Sequence, residues 1–254
     1  MVIVHDDKAV LADATASRLV VAIQDAQSAR GEADIVLTGG SMGSAVLVSL
    51  GQNPARDSID WGHLNLWWGD ERFLPAGDPE RNETQAREAL LDALPLDPAR
   101  VHPMPASDGP DGPDVDAAAI RYAEELAAAA PRGHAVPDFD VLMLGVGPDA
   151  HVASLFPEHP ALHERDASTI GVREAPKPPP VRVSLTFPSL CKALDVWFLV
   201  SGPDKAGAVG LALSGAGELQ APAAGVTGIR STTWLVDRDA ATHVPSQLIQ
   251  LATP

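Results

Sequence analysis

The chain has 254 residues, 45% of them hydrophobic and 20% charged, which is enough apolar material for a sizeable core and excludes wholesale disorder. A formal net charge of −16 excludes a general nucleic-acid or anionic-membrane binder, since both partners favour basic surfaces, and makes the 18 Lys and Arg residues informative. One cysteine excludes an internal disulfide, and no apolar run approaches the roughly 20 residues that span a bilayer, so the expectation is a cytoplasmic protein.

The N-terminal elements read as β-α-β. Residues 2–4 are a short β-branched run, Ala9, Ala12, Ala16, Leu19, Val20 and Ile23 recur at helical spacing, and residues 34–37 are again apolar. A helix is predicted over 41–50, a strand over 64–68, and a helix over 83–94 with Asn82 as its N-cap. A loop rich in Pro, Asp and Gly, residues 95–114, leads to a helix over 115–130. The strand FDVLML at 139–144 follows, and its nearly unbroken apolar character suits a central parallel strand covered on both faces. Residues 181–186, 196–200 and 232–236 read as further strands, with a helix over 203–213 between the last two. No repeat and no long linker divides the chain. The expectation is one α/β domain over residues 1–254, with a mostly parallel, Rossmann-like central sheet flanked by helices.

In such a sheet, ligands bind beyond the C-terminal ends of the strands, so the strand exits take the chemical reading first. TGGS, Thr38 to Ser41, can present backbone N–H groups to an anion at a helix start, although paired glycines before a serine are also ordinary connection chemistry. It is neither a dinucleotide fingerprint nor a P-loop. WWGDERFLP clusters Asp70, Glu71 and Arg72 after an apolar strand. Arg72 could grip a phosphate or carboxylate through its planar fork and Asp70 could orient a hydroxyl, or the charges could form a local ion pair.

GVGPDAH, Gly145 to His151, delivers Asp149 and His151 two positions apart after flexible glycines. A histidine titrates near neutrality and could take a proton from water attacking a carbonyl, with a neighbouring carboxylate fixing its tautomer. KPPPVRVSL sets Lys177 and Arg182 around a stiff proline run, and SGPDK puts Lys205 near a helix start, where the helix dipole mildly disfavours a cation. The histidines show no HxH or HExxH spacing and no G-x-S-x-G elbow occurs, so neither a metal nor a serine nucleophile is expected.

Taken in order, LTGGSMG, WWGDERFLP, RNETQAREALL, RVHPM, FDVLMLGVGPDAHVASLFPEHP, KPPPVRVSL and VSGPDKAGAV resemble the 6-phosphogluconolactonases over residues 35 to about 210. The resemblance implies a sugar-phosphate isomerase-like fold, no cofactor, and hydrolysis of 6-phospho-D-glucono-1,5-lactone in the pentose phosphate pathway. It assigns His151 as the catalytic base with Asp149 beside it. It places Gly39, Gly40, Ser41, Arg72, Arg182 and Lys205 in the substrate-binding region, and Asp70 as an acidic residue at the pocket. The expected partner is a small sugar phosphate, with no nucleic acid or membrane, and the expected state is a monomer. The related glucosamine-6-phosphate deaminases and a non-catalytic sugar-phosphate sensor are the alternatives. One departure bears on geometry: Ala150 stands where the family has glycine, so a positive φ there would strain the loop that carries His151.

Overall fold

The computed structural model describes residues 1–251. It opens with strand β1 (Val2–His5), helix α1 (Lys8–Arg30), strand β2 (Ala33–Leu37) and helix α2 (Gly40–Gln52). Strands β3 (Leu64–Trp68) and β4 (Asp70–Arg72) come next, then helices α3 (Asn82–Ala89) and α4 (Val115–Ala129). Strands β5 (Val141–Gly145), β6 (Thr169–Val172) and β7 (Arg182–Leu185) precede helix α5 (Phe187–Leu190) and strand β8 (Asp195–Val200). Helices α6 (Ala206–Leu213) and α7 (Pro222–Gly225) and strands β9 (Ser231–Asp237) and β10 (Ile249–Leu251) complete the order.

Seven strands form a parallel sheet in the order β10, β1, β9, β8, β5, β2, β3. Its centre is apolar for the predicted reason. Val141 to Leu144 of β5 and all six residues of β8 are buried, as strands covered on both faces must be. The mixed α/β fold with helices flanking this sheet matches the expectation. Helix α1 starts where the Asp7 side chain accepts from the N–H groups of Ala9 and Val10, and it stops at Gly31, whose left-handed conformation returns an N–H to Gln27. Its buried stripe, including Leu11, Leu19 and Ile23, seats it on the sheet.

Four strands differ from the expectation. The predicted strand at 181–186 forms as β7 but lies in a separate antiparallel sheet, ordered β4, β7, β6. Strands β4 and β6 were not expected, because Asp-Glu-Arg is short and wholly charged and Thr-Ile-Gly-Val is a four-residue run broken by glycine; both take their strand pairing from β7, and β6 also packs on α4, where Thr169 Oγ1 donates to Ala119 O at 2.6 Å. Edge strand β10 was also unread.

The helix predicted over 83–94 ends at Ala89 and continues only as a 3-10 turn at Leu91–Ala93. Asn82 is its first residue rather than its N-cap. The free N–H groups of Asn82 and Glu83 are instead accepted by the Glu71 carboxylate, at 2.6 and 2.9 Å. The helix predicted over 203–213 forms with a first turn of 3-10 type, Pro203–Lys205. Among the described residues no helix is long and apolar enough to cross a membrane.

Candidate functional site

Strands β2, β5 and β8 are neighbours at the centre of the sheet, and their C-terminal exits open onto one cleft of about 270 Å³. The small antiparallel sheet contributes the facing wall through Asp70, Arg72 and Arg182. A larger cavity, about 630 Å³, runs along α1 from the amino-terminal ends of the strands. Two of the three arginines there are already paired: Arg30 makes a fork-to-fork pair with Asp140, and Arg230 with Asp195. The chemistry that the sequence singles out converges on the smaller cleft.

The loop after β5 is built tightly. Gly145 N–H donates to Thr38 Oγ1 at 3.1 Å, tying the β5 exit to the β2 exit. Pro148 presets the turn, Ala150 N–H donates to Gly147 O at 2.9 Å, and Gly147 N–H donates to His151 O at 3.0 Å. A side chain at Gly147 would overlap both the His151 ring and the Asp149 carboxylate, so glycine is required for the two to fold over it. Asp149 Oδ1 accepts from His151 Nδ1 at 2.5 Å, and the imidazole leans on the Phe156 ring with centroids 4.5 Å apart. With Nδ1 engaged, Nε2 is the nitrogen left for the cleft. Burial works to raise the Asp149 carboxyl, but the hydrogen bond and charge of His151 and the charge of Lys177 outweigh it and hold it well below the usual carboxylate range.

Ala150 has φ of +64° and is fully buried, so the positive φ anticipated for the family's glycine is present here on an alanine. The left-handed conformation costs about 1–2 kcal/mol for an L-residue, while the buried methyl returns about 0.8 kcal/mol. The strained loop nonetheless keeps His151 on Asp149. Ala150→Gly is therefore expected to shift stability by no more than about 1 kcal/mol and to leave the catalytic rate essentially unchanged, as thermal melts and steady-state kinetics would record. A large gain in rate would mean that Ala150 displaces the histidine.

The anion-facing side is assembled from separate elements. Arg72 Nη1 donates to Glu80 O at 2.7 Å and to Asn82 Oδ1 at 2.6 Å, while Arg72 Nε is buried without a partner among the described residues. Asn82 also donates to Asp70 O at 2.8 Å and packs over Gly39, where any Cβ would overlap its side chain. Gly39 is thus demanded by close packing, and Gly40 by φ of +75°. Asp70 is buried and accepts from the Ser154 hydroxyl at 2.6 Å, with Arg182 Nη1 4.0 Å away. Lys205 lines the cleft from the turn before α6, 3.4 Å from Asp204.

The structure brings together His151, Asp149, Gly39, Gly40, Asp70, Arg72, Arg182 and Lys205; Ser41 is exposed on the first turn of α2 and stands outside the cleft lining. Asn82 and Lys177, both in the lining, were not among the expected site residues. Asn82 was read as a cap, and Lys177 was noted beside the proline run without a role. Nothing in their local sequence marks either, because their partners are 10 to 28 residues away. Four cations, Arg72, Lys177, Arg182 and Lys205, face a cleft with one lining carboxylate, Asp70, in a protein of net charge −16. Among the described residues no three His, Cys, Asp or Glu side chains gather as a metal site requires.

A family model described as glucosamine-6-phosphate isomerases/6-phosphogluconolactonase matches residues 6–234. The chain belongs to this family. It is 61% identical over 248 residues to a protein of Streptomyces coelicolor named 6-phosphogluconolactonase, covering 97% of this chain and 95% of that one. A Mycobacterium tuberculosis protein of the same name is 48% identical over 243 residues, covering 96% and 98%. Among solved structures, a family member described as 6-phosphogluconolactonase from Trypanosoma brucei superposes with a TM-score of 0.80 at 28% identity, covering 96% of this chain and 98% of that one. The family's fold, a parallel sheet with helices on both sides, is the one described above.

Proposed function

We propose that this protein hydrolyses 6-phospho-D-glucono-1,5-lactone to 6-phosphogluconate, a step of the oxidative pentose phosphate pathway, with His151 as general base. The observation that carries this reading is the Asp149–His151 pair at one end of a cleft whose other walls carry cations. The names of the 61% and 48% identical relatives support the same substrate.

His151 Nε2 takes a proton from a water as its oxygen bonds to the lactone C1 carbonyl, giving a tetrahedral intermediate with charge on the former carbonyl oxygen. Collapse re-forms the carbonyl and breaks the bond from C1 to the ring oxygen. The imidazolium returns its proton to that oxygen, and the acid product ionises. Asp149 steadies the imidazolium and fixes which nitrogen faces the water. Arg72, Lys205 and the Gly39–Gly40 backbone hold the distal phosphate, so that binding energy remote from C1 positions the carbonyl.

The test is direct. Glucose-6-phosphate dehydrogenase supplies fresh lactone, and the purified protein is expected to accelerate 6-phosphogluconate formation above spontaneous ring opening. Ammonia release from glucosamine 6-phosphate, without that acceleration, would assign the protein to the other activity in the family's description.

A further inference from the structure

Arg182 lines the cleft, yet its donors are directed at the protein. Nε donates to Pro179 O at 3.1 Å, and Nη2 donates to Lys177 O at 3.1 Å and Pro178 O at 3.3 Å. Its guanidinium also lies over the Phe156 ring, 5.7 Å from the centroid, and is buried. Arg182 is therefore the anchor of the Lys177 to Pro180 segment. What that segment delivers is the Lys177 ammonium, 3.4 Å from Asp149 Oδ1 and 3.5 Å from His151 Nδ1. The Asp149 oxygen that Lys177 approaches is the one that accepts from His151. Two cationic groups thus share one carboxylate oxygen whenever the imidazole is protonated.

We infer that Lys177 is a positioning residue for the Asp149–His151 pair, opposing protonation of His151 between turnovers, rather than one of the cations that hold the substrate phosphate. The reasoning is electrostatic. Asp149 alone favours the charged imidazolium, the form that cannot accept a proton. An ammonium on the same oxygen offsets that pull and keeps the imidazole free to accept a proton, while Asp149 continues to orient it. The groups around His151 are Asp149 from its own loop, Lys177 from the proline segment, Arg182 from β7, Asp70 and Arg72 from β4, and Lys205 from the turn before α6. Of the cations, only Lys177 touches the pair among the described contacts.

The inference rests on His151 being the base, so its test has a readout independent of turnover. In the full-length protein, the His151 imidazole is followed by NMR across pH, its resonances assigned by their loss in His151→Gln. Lys177→Met is expected to raise the His151 midpoint by about one pH unit, the low end of a nearby like charge because Lys177 is 40% exposed. The acidic limb of kcat/KM should move up equally, with KM little changed, and Lys177→Arg should restore both. An unmoved midpoint with a raised KM would overturn the inference and make Lys177 a phosphate ligand. A raised midpoint in a protein without lactonase activity would support the electrostatic role while removing the proposed function.

Discussion

His151→Ala is expected to lower the rate of lactone opening, measured above spontaneous hydrolysis, by about 10²–10⁴-fold, the contribution of the general base proposed for it. The expectation follows from placement. The imidazole is held from one side by Asp149 at 2.5 Å and from the other by the Phe156 ring, so its Nε2 has a defined direction into the cleft. Removing it takes away the proposed acceptor for the attacking water's proton. KM should change little, since the groups proposed to hold the phosphate lie on other elements. Melting temperature is to be measured on the same sample, because the loop is closed through the His151 carbonyl, which the alanine retains. Undiminished turnover in a folded variant would remove His151 as the base.

Glu71→Ala destabilises the fold by about 3–5 kcal/mol, the range for breaking a buried, hydrogen-bonded charge. Glu71 has 0% exposure and accepts from the N–H groups of Arg72, Asn82 and Glu83 at 2.8, 2.6 and 2.9 Å, with buried Arg81 3.8 Å away. Alanine strands those donors and leaves Arg81 with Glu83 and backbone carbonyls only. The damage should reach the cleft, because the start of α3 sets Asn82, and Asn82 sets Arg72. A raised KM is expected beside the lower midpoint of denaturant unfolding, and a loss below about 1 kcal/mol would mean that α3 is held by other contacts.

The pH dependence of that stability has a definite sign. Burial, opposed by Arg81 and the backbone donors, raises the Glu71 carboxyl from 4.5 to about 7. The folded state therefore binds this proton more tightly than the unfolded chain. Its contribution is complete below about pH 4.5 and is lost as pH rises through about 7. Glu71→Gln cannot titrate, so the stability gap between wild type and this variant should narrow from pH 5 to pH 8.

Much of this was legible in the chain. Residues 34–37 and 139–144 announce buried strands because a doubly covered strand must be apolar throughout, and the glycines and histidine after the second mark an exit where backbone freedom and a titratable group coincide. The resemblance of ordered motifs then names the family that the comparison establishes. These features are local: each is set by residues within a few positions of one another.

What the sequence left open depends on contacts between distant segments. Asn82 looks like a helix cap, and only the fold, by bringing Glu71 to the start of α3, releases its side chain to join Asp70 and Arg72. Gly39 reads as either an anion-facing glycine or ordinary connection chemistry, and the tertiary constraint on it is the Asn82 side chain above it. Arg182 and Lys177 look like equivalent cations beside a proline run. The fold separates them, directing one at backbone carbonyls and the other at Asp149, because β7 is fixed by its pairing with β4 while the proline segment reaches across to the β5 exit. Hydrophobic periodicity and motif order belong to the sequence, since they arise from short-range sterics and burial. Which charge meets which is decided by tertiary structure, since electrostatic contacts act at a few ångströms regardless of separation along the chain.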